Sequence, residues 1–250
     1  MGILTTFINW NRKASLAFDK LLPQSMRVYG TTDFHARLLP AYLKDHMHVA
    51  DIGGGKRPFI FPDMKAEKHI TLTGIDIDAE ELERAPEGNY DETIVADITT
   101  WRGTGRHDMV ISRSTLEHVS DGPKALEGMA SALKRGGILI AFAPCRNALF
   151  ARFNLLMPEG PKNKLLKMLY GKQAEVMGFK AYYSHCTPSE MRKVAEDLGL
   201  EILQARTYWM SNYFMIFVPA HIVWRIYQLV VRTLGWQNLG EGFSLVMKKP

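Results

Sequence analysis

The chain has 250 residues, 46% of them hydrophobic and 23% charged; that is enough for one sizeable domain and too apolar for a disordered segment. A net charge of +5 at pH 7 is mildly basic, but Lys and Arg are scattered and no RNA- or DNA-binding signature appears, so a nucleic-acid partner is not favoured. Two cysteines, Cys145 and Cys186, build no disulfide framework and sit in no metal-ligand spacing, which fits a reducing compartment and leaves no metal site to expect.

The first residues lack the basic-then-apolar order of a secretory signal, so a cytoplasmic protein is expected; MGILTT matches a myristoylation pattern in form only. Residues 1–45 read as a helical cap, with helices near 7–22 and 35–43. From about Met47 short apolar or β-branched stretches alternate with helical ones: strands at 48–52, 70–75, 93–96, 109–112 and 138–143, each ending near Gly, Asp or Pro. Such alternation predicts a parallel sheet with helices on both faces, in which right-handed crossovers bring every strand's C-terminal end to one rim. Residues 146–186 interrupt the pattern as a lid insertion. A helix then opens at Thr187-Pro188-Ser189-Glu190, where Thr caps and Glu closes a capping box, and stops at Gly199. Residues 201–208 and 243–248 read as a sixth and a seventh strand. An apolar helical insertion, 209–241, separates them.

The stretch Asp51-Ile52-Gly53-Gly54-Gly55-Lys56-Arg57-Pro58 is the first sign of function. A phosphate-binding GxxxxGK[ST] loop fails at Ala50 and at Arg57, and a dinucleotide GxGxxG fingerprint meets Pro58 where a third glycine belongs. The pattern D-x-G-x-G at a strand end instead resembles motif I of the class I S-adenosylmethionine (AdoMet) dependent methyltransferases. Further motifs follow in order. Asp76, in Gly74-Ile75-Asp76-Ile77-Asp78, lies 25 residues after Asp51; Val95-Ala96-Asp97-Ile98 ends the third strand; Ser114-Thr115-Leu116-Glu117-His118-Val119 resembles the "LEHV" run of small-molecule members; Leu133-Lys134-Arg135-Gly136-Gly137 is close to "LKPGG". The likeness is strong over 49–144 and looser at the two last strands. It departs at Arg57, where the family carries a third glycine.

The resemblance implies a Rossmann-like, seven-stranded, mostly parallel sheet whose last strand is antiparallel, forming a single methyltransferase domain over 1–250. It implies AdoMet as the cofactor, cradled by Asp51, Gly53, Gly54 and Gly55, with Asp76 and Ile77 at the ribose, Asp97 and Ile98 at the adenine, and Ser112 and Arg113 at the end of the fourth strand. The sulfonium already activates its methyl group, so the protein must align donor and acceptor, exclude water and, for a hydroxyl acceptor, take up one proton. His118 is the first candidate base and His185 the second. Arg113, Arg146 and Asn147 at the rim, with Tyr182 and Tyr183 in the lid, are candidates for gripping the acceptor. That acceptor is expected to be a hydroxylated metabolite, a sugar or a lipid-linked glycan methylated on oxygen. An NAD(P)-binding oxidoreductase or epimerase is the alternative, as is a non-catalytic, membrane-associated protein that retains the fold.

The second insertion adds a further expectation. His221, Arg225, Gln228 and Arg232 recur at steps of four, three and four, placing them on one stripe of an otherwise apolar helix. Polar residues interrupt it too often for a span of roughly twenty apolar residues. Residues 213–234 therefore bury against the domain or a dimer mate, or else lie on a membrane surface, helped by Phe7, Trp10 and the positive charge. Monomer and homodimer both stay open, as does a membrane-peripheral location.

Overall fold

In the computed structural model, residues 3–157, 160 and 180–250 are described. Seven strands form one sheet: β1 (His48–Ile52), β2 (Thr71–Asp76), β3 (Glu92–Val95), β4 (His107–Arg113), β5 (Leu133–Pro144), β6 (Glu201–Tyr208) and β7 (Gly242–Lys248), in the order β3-β2-β1-β4-β5-β7-β6. The first five pair in parallel, and β7 runs antiparallel to both β5 and β6. β6 therefore points the same way as β1–β5, so six strands deliver their C-terminal ends to one rim. The Rossmann-like, seven-stranded architecture with an antiparallel last strand is the one the motifs implied.

Period-two alternation along the strands builds the two cores. Ala50, Ile52, Val110, Leu139, Ala141, Phe243 and Leu245 face one way, against Ala125, Leu126 and Met129 of α6 (Gly122–Ala132) and Met191 and Ala195 of α8 (Pro188–Asp197). Val49, Leu72, Met109, Ile111, Ile140, Phe142 and Val246 face the other way, against Phe34, Leu38 and Leu39. Those three residues belong to a helical run in which α2 (Gly30–Asp33) passes through a π turn at Phe34–Leu38 into α3 (Leu39–Tyr42). Ahead of it lies α1 (Ile3–Asp19); α4 (Pro62–Glu67) follows the glycine loop and α5 (Ala79–Glu83) follows β2. The N-cap of α8 forms as expected, with the Thr187 side chain accepting from the Glu190 amide, and Gly199 follows the helix at a φ of 74°.

β5 departs from the expected boundary. It begins at Leu133, taking in the Lys134-Arg135-Gly136-Gly137 run that the sequence placed before it. His107 pairs with Leu133 and Met109 with Ile138, and the register shift between them absorbs the extra residues, with Gly136 at a φ of 78°. A β-bulge of this kind needs a residue that tolerates the left-handed region, and glycine supplies it.

Of the insertion at 146–186, α7 (Leu149–Leu156) and residues 180–186 are described; residues 158–159 and 161–179 lie outside the described residues. The insertion at 209–241 starts and ends at the rim and contains α9 (Val218–Thr233), which packs against α1. No helix among the described residues is long and apolar enough to cross a membrane.

Candidate functional site

The glycine loop leaves β1 at the rim. Gly53 has a φ of 74°, and its amide donates to the Ile75 carbonyl at 2.8 Å. A β-carbon on Gly53 would stand 2.2 Å from Thr115 Oγ1, and one on Gly54 would stand 2.7 Å from both Asp51 carboxylate oxygens and 2.6 Å from the Tyr90 hydroxyl. Gly55, with a φ of 48°, would bring a β-carbon to 3.2 Å from Asp76 Oδ2. The absent side chains thus let the loop settle onto the ends of β1, β2 and β4, where no larger residue fits.

Asp51 is fully buried beneath this loop. Its Oδ2 accepts from the Phe59 amide at 2.8 Å, so it pins the far end of the loop. Burial pushes its carboxyl up to about 7, against the opposing pull of the Phe59 amide and the Arg113 charge. Asp76, by contrast, sits half-buried at the end of β2: Oδ1 accepts from the Asp78 amide at 3.1 Å while Oδ2 lies beside Gly55. Burial raises its carboxyl as well. Asp78 is used as the N-cap of α5. Ile77 is exposed at the rim. Asp97 is exposed too; its Oδ1 accepts from the Thr99 amide and hydroxyl at 2.8 and 2.7 Å. Ile98 turns inward and packs in the core next to Gly128. Ser112, opposite Ile52 in the β1–β4 register, is buried with its hydroxyl unpartnered among the described residues.

The basic residues after the glycines separate. Lys56 pairs with Glu81 of α5 at 2.8 Å. Arg57 instead helps line a cavity of about 310 Å³ together with Lys56, His35, Phe61, Asn89 and Arg113. There the Arg113 guanidinium lies 4.6 Å over the Phe59 ring and contacts His35 Nε2. An arginine can only donate, so that His35 nitrogen is unprotonated, and burial together with the Arg113 charge holds the imidazole below its usual range.

His118 lies in a 3-10 turn, Leu116–His118, that follows β4. Its Nδ1 is 3.0 Å from the Lys180 carbonyl and must carry the proton, which leaves Nε2 with its lone pair. Burial pulls its pKa below the usual value. Nε2 is 3.9 Å from the Glu117 carboxyl, itself fully buried and pushed up to about 8 by desolvation, hence neutral near pH 7. The Glu117 carbonyl accepts from the Tyr182 and Tyr183 amides at 2.8 and 3.0 Å, so residues 180–183 are stitched to this turn.

The expected residues do not all converge. His185 lines a different groove of about 440 Å³ between α6 and α8, which shares no residue with the cavity beside the glycine loop. Arg146 is engaged by Glu190 at 2.6 Å and Asn147 by Arg152 at 2.5 Å. Tyr183 is buried in the core, whereas Tyr182 is exposed under the Lys180 ammonium at 4.9 Å. Two participants, Tyr90 and His35, carry no motif in the sequence, and Glu117, although part of the "LEHV" run, has no role that the run assigns. Tyr90 is wedged against Gly74 and donates to the Gly55 carbonyl at 3.2 Å; His35 comes from the N-terminal helices; Glu117 turns inward. Tyr90 sits just before β3, in a stretch with no strand pairing or motif to mark it.

A family model described as "Methyltransferase domain" matches residues 23–205. A ubiquinone biosynthesis O-methyltransferase from Cupriavidus pinatubonensis is 29% identical over 166 residues, covering 63% of this chain. The chain spans 61% of the length of that relative. Among solved structures, a phosphoethanolamine N-methyltransferase from Haemonchus contortus in complex with S-adenosyl-L-methionine superposes with a TM-score of 0.54 at 15% identity, covering 96% of this chain and 57% of the other. A SAM-dependent methyltransferase from Archaeoglobus fulgidus superposes with a TM-score of 0.54 at 17% identity, covering 88% and 95%.

Proposed function

Because the chain belongs to the methyltransferase-domain family and takes its methyl group from AdoMet, we propose that the acceptor is an oxygen of a hydroxylated small molecule, a sugar or lipid-linked glycan in preference to other metabolites. The family assignment sets aside the nicotinamide-dependent alternative. The observation that carries the reading is the placement of Asp76 and Asp97 at the rim on one side of the glycine loop, with His118 in a base-ready tautomer on the other.

In this reading Asp76 receives the ribose hydroxyls, Asp97 the adenine amine through the oxygen that Thr99 leaves unused, and exposed Ile77 flanks the nucleoside. Asp51 braces the loop instead of touching the ligand. Loop geometry fits such a ligand, because the three glycines lie flat against Thr115, Asp51 and Asp76 and raise no side chain over the rim. AdoMet, when bound, supplies a methyl group already activated by its sulfonium. The chain holds the acceptor in line, excludes water and accepts the hydroxyl proton on His118 Nε2. Arg57 and Arg113 add positive charge at the mouth for an acceptor with acidic or phosphate groups. Residues 1–45 serve as cap and 146–186 as lid.

Calorimetric titration with AdoMet and with its demethylated product tests the first step: both bind, and NAD does not. His118→Asn tests the second, since loss of a general base lowers kcat by roughly 10²–10⁴-fold and leaves AdoMet affinity unchanged. An unaltered kcat with an accepted substrate would remove His118 from the mechanism. The pH dependence sharpens this: with its pKa held below the ordinary value of 6.5, the acid limb of kcat falls below pH 6.5, and a limb above it would point to another group.

A further inference from the structure

α9 is an inverted helix. Its polar stripe points inward: His221, Arg225 and Gln228 are fully buried. Arg225 donates through Nε to Asp19 at 2.8 Å, through Nη1 to the Trp209 carbonyl at 2.5 Å and Gln228 Oε1 at 2.7 Å, and through Nη2 to the Met26 carbonyl at 2.8 Å. His221 shares Asp19 at 3.0 Å, and Gln228 passes the network on to Glu241 at 3.0 Å. With the charges facing the domain, the apolar stripe faces out. Val223 (69% exposed), Ile226 (51%), Tyr227, Val230 (49%) and Leu234 recur at steps of three, one, three and four, so they share one face.

This face does not stand alone. α1 packs on α9, with Asn11 Oδ1 accepting from the Val218 amide at 2.9 Å, and its outer turns expose Phe7 and Trp10 (64%). Ile216 and Phe217, also exposed, lead into α9, and the Tyr213 ring stacks on Phe150 of α7 at 4.3 Å, where Phe153 and Leu156 are exposed in turn. Monomeric proteins rarely leave so much contiguous apolar surface to water. The segment holding α7, which follows β5, and the insertion holding α9, between β6 and β7, join the sheet at the rim that carries the glycine loop, and α1 joins them by packing on α9.

The charge around the face selects its occupant. Within residues 1–32 the only acid is Asp19, which is buried, and residues 209–240 contain none. Arg12, Lys13, Lys20 and Arg27 are exposed on the first segment, and Arg232 lies at the end of α9. A second copy docked through this face about a two-fold axis would set this single-sign rim against itself. A bilayer bearing anionic headgroups complements it: apolar residues enter the acyl boundary, Trp10, Tyr227 and Trp236 sit at headgroup level, and the basic rim meets the phosphates. We infer that α1, the Tyr213–Phe217 segment and α9 form a docking face for the surface of an anionic membrane, held beside the catalytic rim so that a lipid-borne acceptor meets the site without leaving the bilayer.

Only the link to the acceptor rests on the methyl-transfer reading; docking itself is measured without AdoMet or acceptor. The full chain is spun with vesicles of phosphatidylcholine alone and of phosphatidylcholine doped with phosphatidylglycerol, and its mass in solution is read by light scattering. A monomer that pellets with the anionic vesicles at low salt and is released as salt rises past ~0.5 M is expected. The variant Ile226→Asp/Val230→Asp changes two exposed side chains and keeps its thermal unfolding midpoint, while its bound fraction drops by about tenfold or more. Lys13→Glu/Lys20→Glu loses the preference for anionic lipid. Absence of pelleting at low salt, binding indifferent to the aspartates, or a dimer that the aspartates split would each overturn the inference.

Discussion

The two regions that face the common rim solve opposite problems with the same residue types. Around the glycine loop apolar strand residues point into the cores and, although Asp51 is buried beneath the loop, half-buried Asp76 and exposed Asp97 present carboxylates at the rim. Across the rim, in α1 and α9, the carboxylate and guanidinium of Asp19 and Arg225 are buried while Val223, Ile226 and Val230 are left outside. A buried ion pair is a poor way to gain stability, because desolvating two charges offsets most of their attraction. Here Arg225 is hydrogen-bonded through Nε, Nη1 and Nη2, while Asp19 Oδ2 has no hydrogen-bond partner among the described residues, so the inward polar stripe is not explained by stability alone.

The hardest test of that contrast is Arg225→Ala. It strands Asp19 in the interior and removes the donor to the Trp209 and Met26 carbonyls and to Gln228. Removing one partner of a buried pair costs about 3–5 kcal/mol, read as a shift of the urea midpoint; a loss below about 1 kcal/mol, the range of exposed pairs, would mean that the network is idle. On the other side of the rim, Asp76→Ala should hardly touch stability and should weaken AdoMet binding by roughly 1–3 kcal/mol, the cost of deleting a charged hydrogen-bond partner. If calorimetry shows unchanged affinity, the ribose-binding carboxylate is another one.

Most of the fold was legible because it depends on local pattern. Strand periods, the Gly53–Gly55 turn and the Thr187 cap are read within a few residues, and the structure returns them within a residue or two. β5 was misjudged at its start because a bulge at Gly136 looks like a loop in sequence. The site was legible in residue type and much less in partnership. Arg146 looks free until Glu190, 44 residues on, is folded against it, and Arg113 gives no sign of His35, 78 residues earlier. The same holds for α9: its spacing reveals a polar stripe, but periodicity alone does not say which stripe faces the protein. That was decided by Asp19, more than 200 residues away in sequence, whose buried carboxylate attracts the stripe inward.

Glu117, in the turn after β4, gives the smallest of these effects, with a sign that can be worked out. Its carboxyl titrates near 4.5 when exposed and near 8 when buried in the fold. Between those values the native chain keeps a proton that the unfolded chain has released. Stability from this group is therefore fully present below about pH 4.5 and lost as pH rises through 8, at no more than about 1.4 kcal/mol per pH unit. Asp51 and Glu241, both raised to about 7 by burial, add slope of the same sign at lower pH, and His118, with its lowered pKa, adds slope of the opposite sign below its ordinary 6.5. The interval between pH 7 and 8 belongs mainly to Glu117. There Glu117→Gln, which keeps the shape and the neutrality of the protonated acid, should flatten the decline in urea-derived stability while leaving kcat near pH 7 unchanged. A slope that survives the substitution would locate the missing proton elsewhere, and a fall in kcat would show that the carboxyl takes part in the proton transfer assigned to His118.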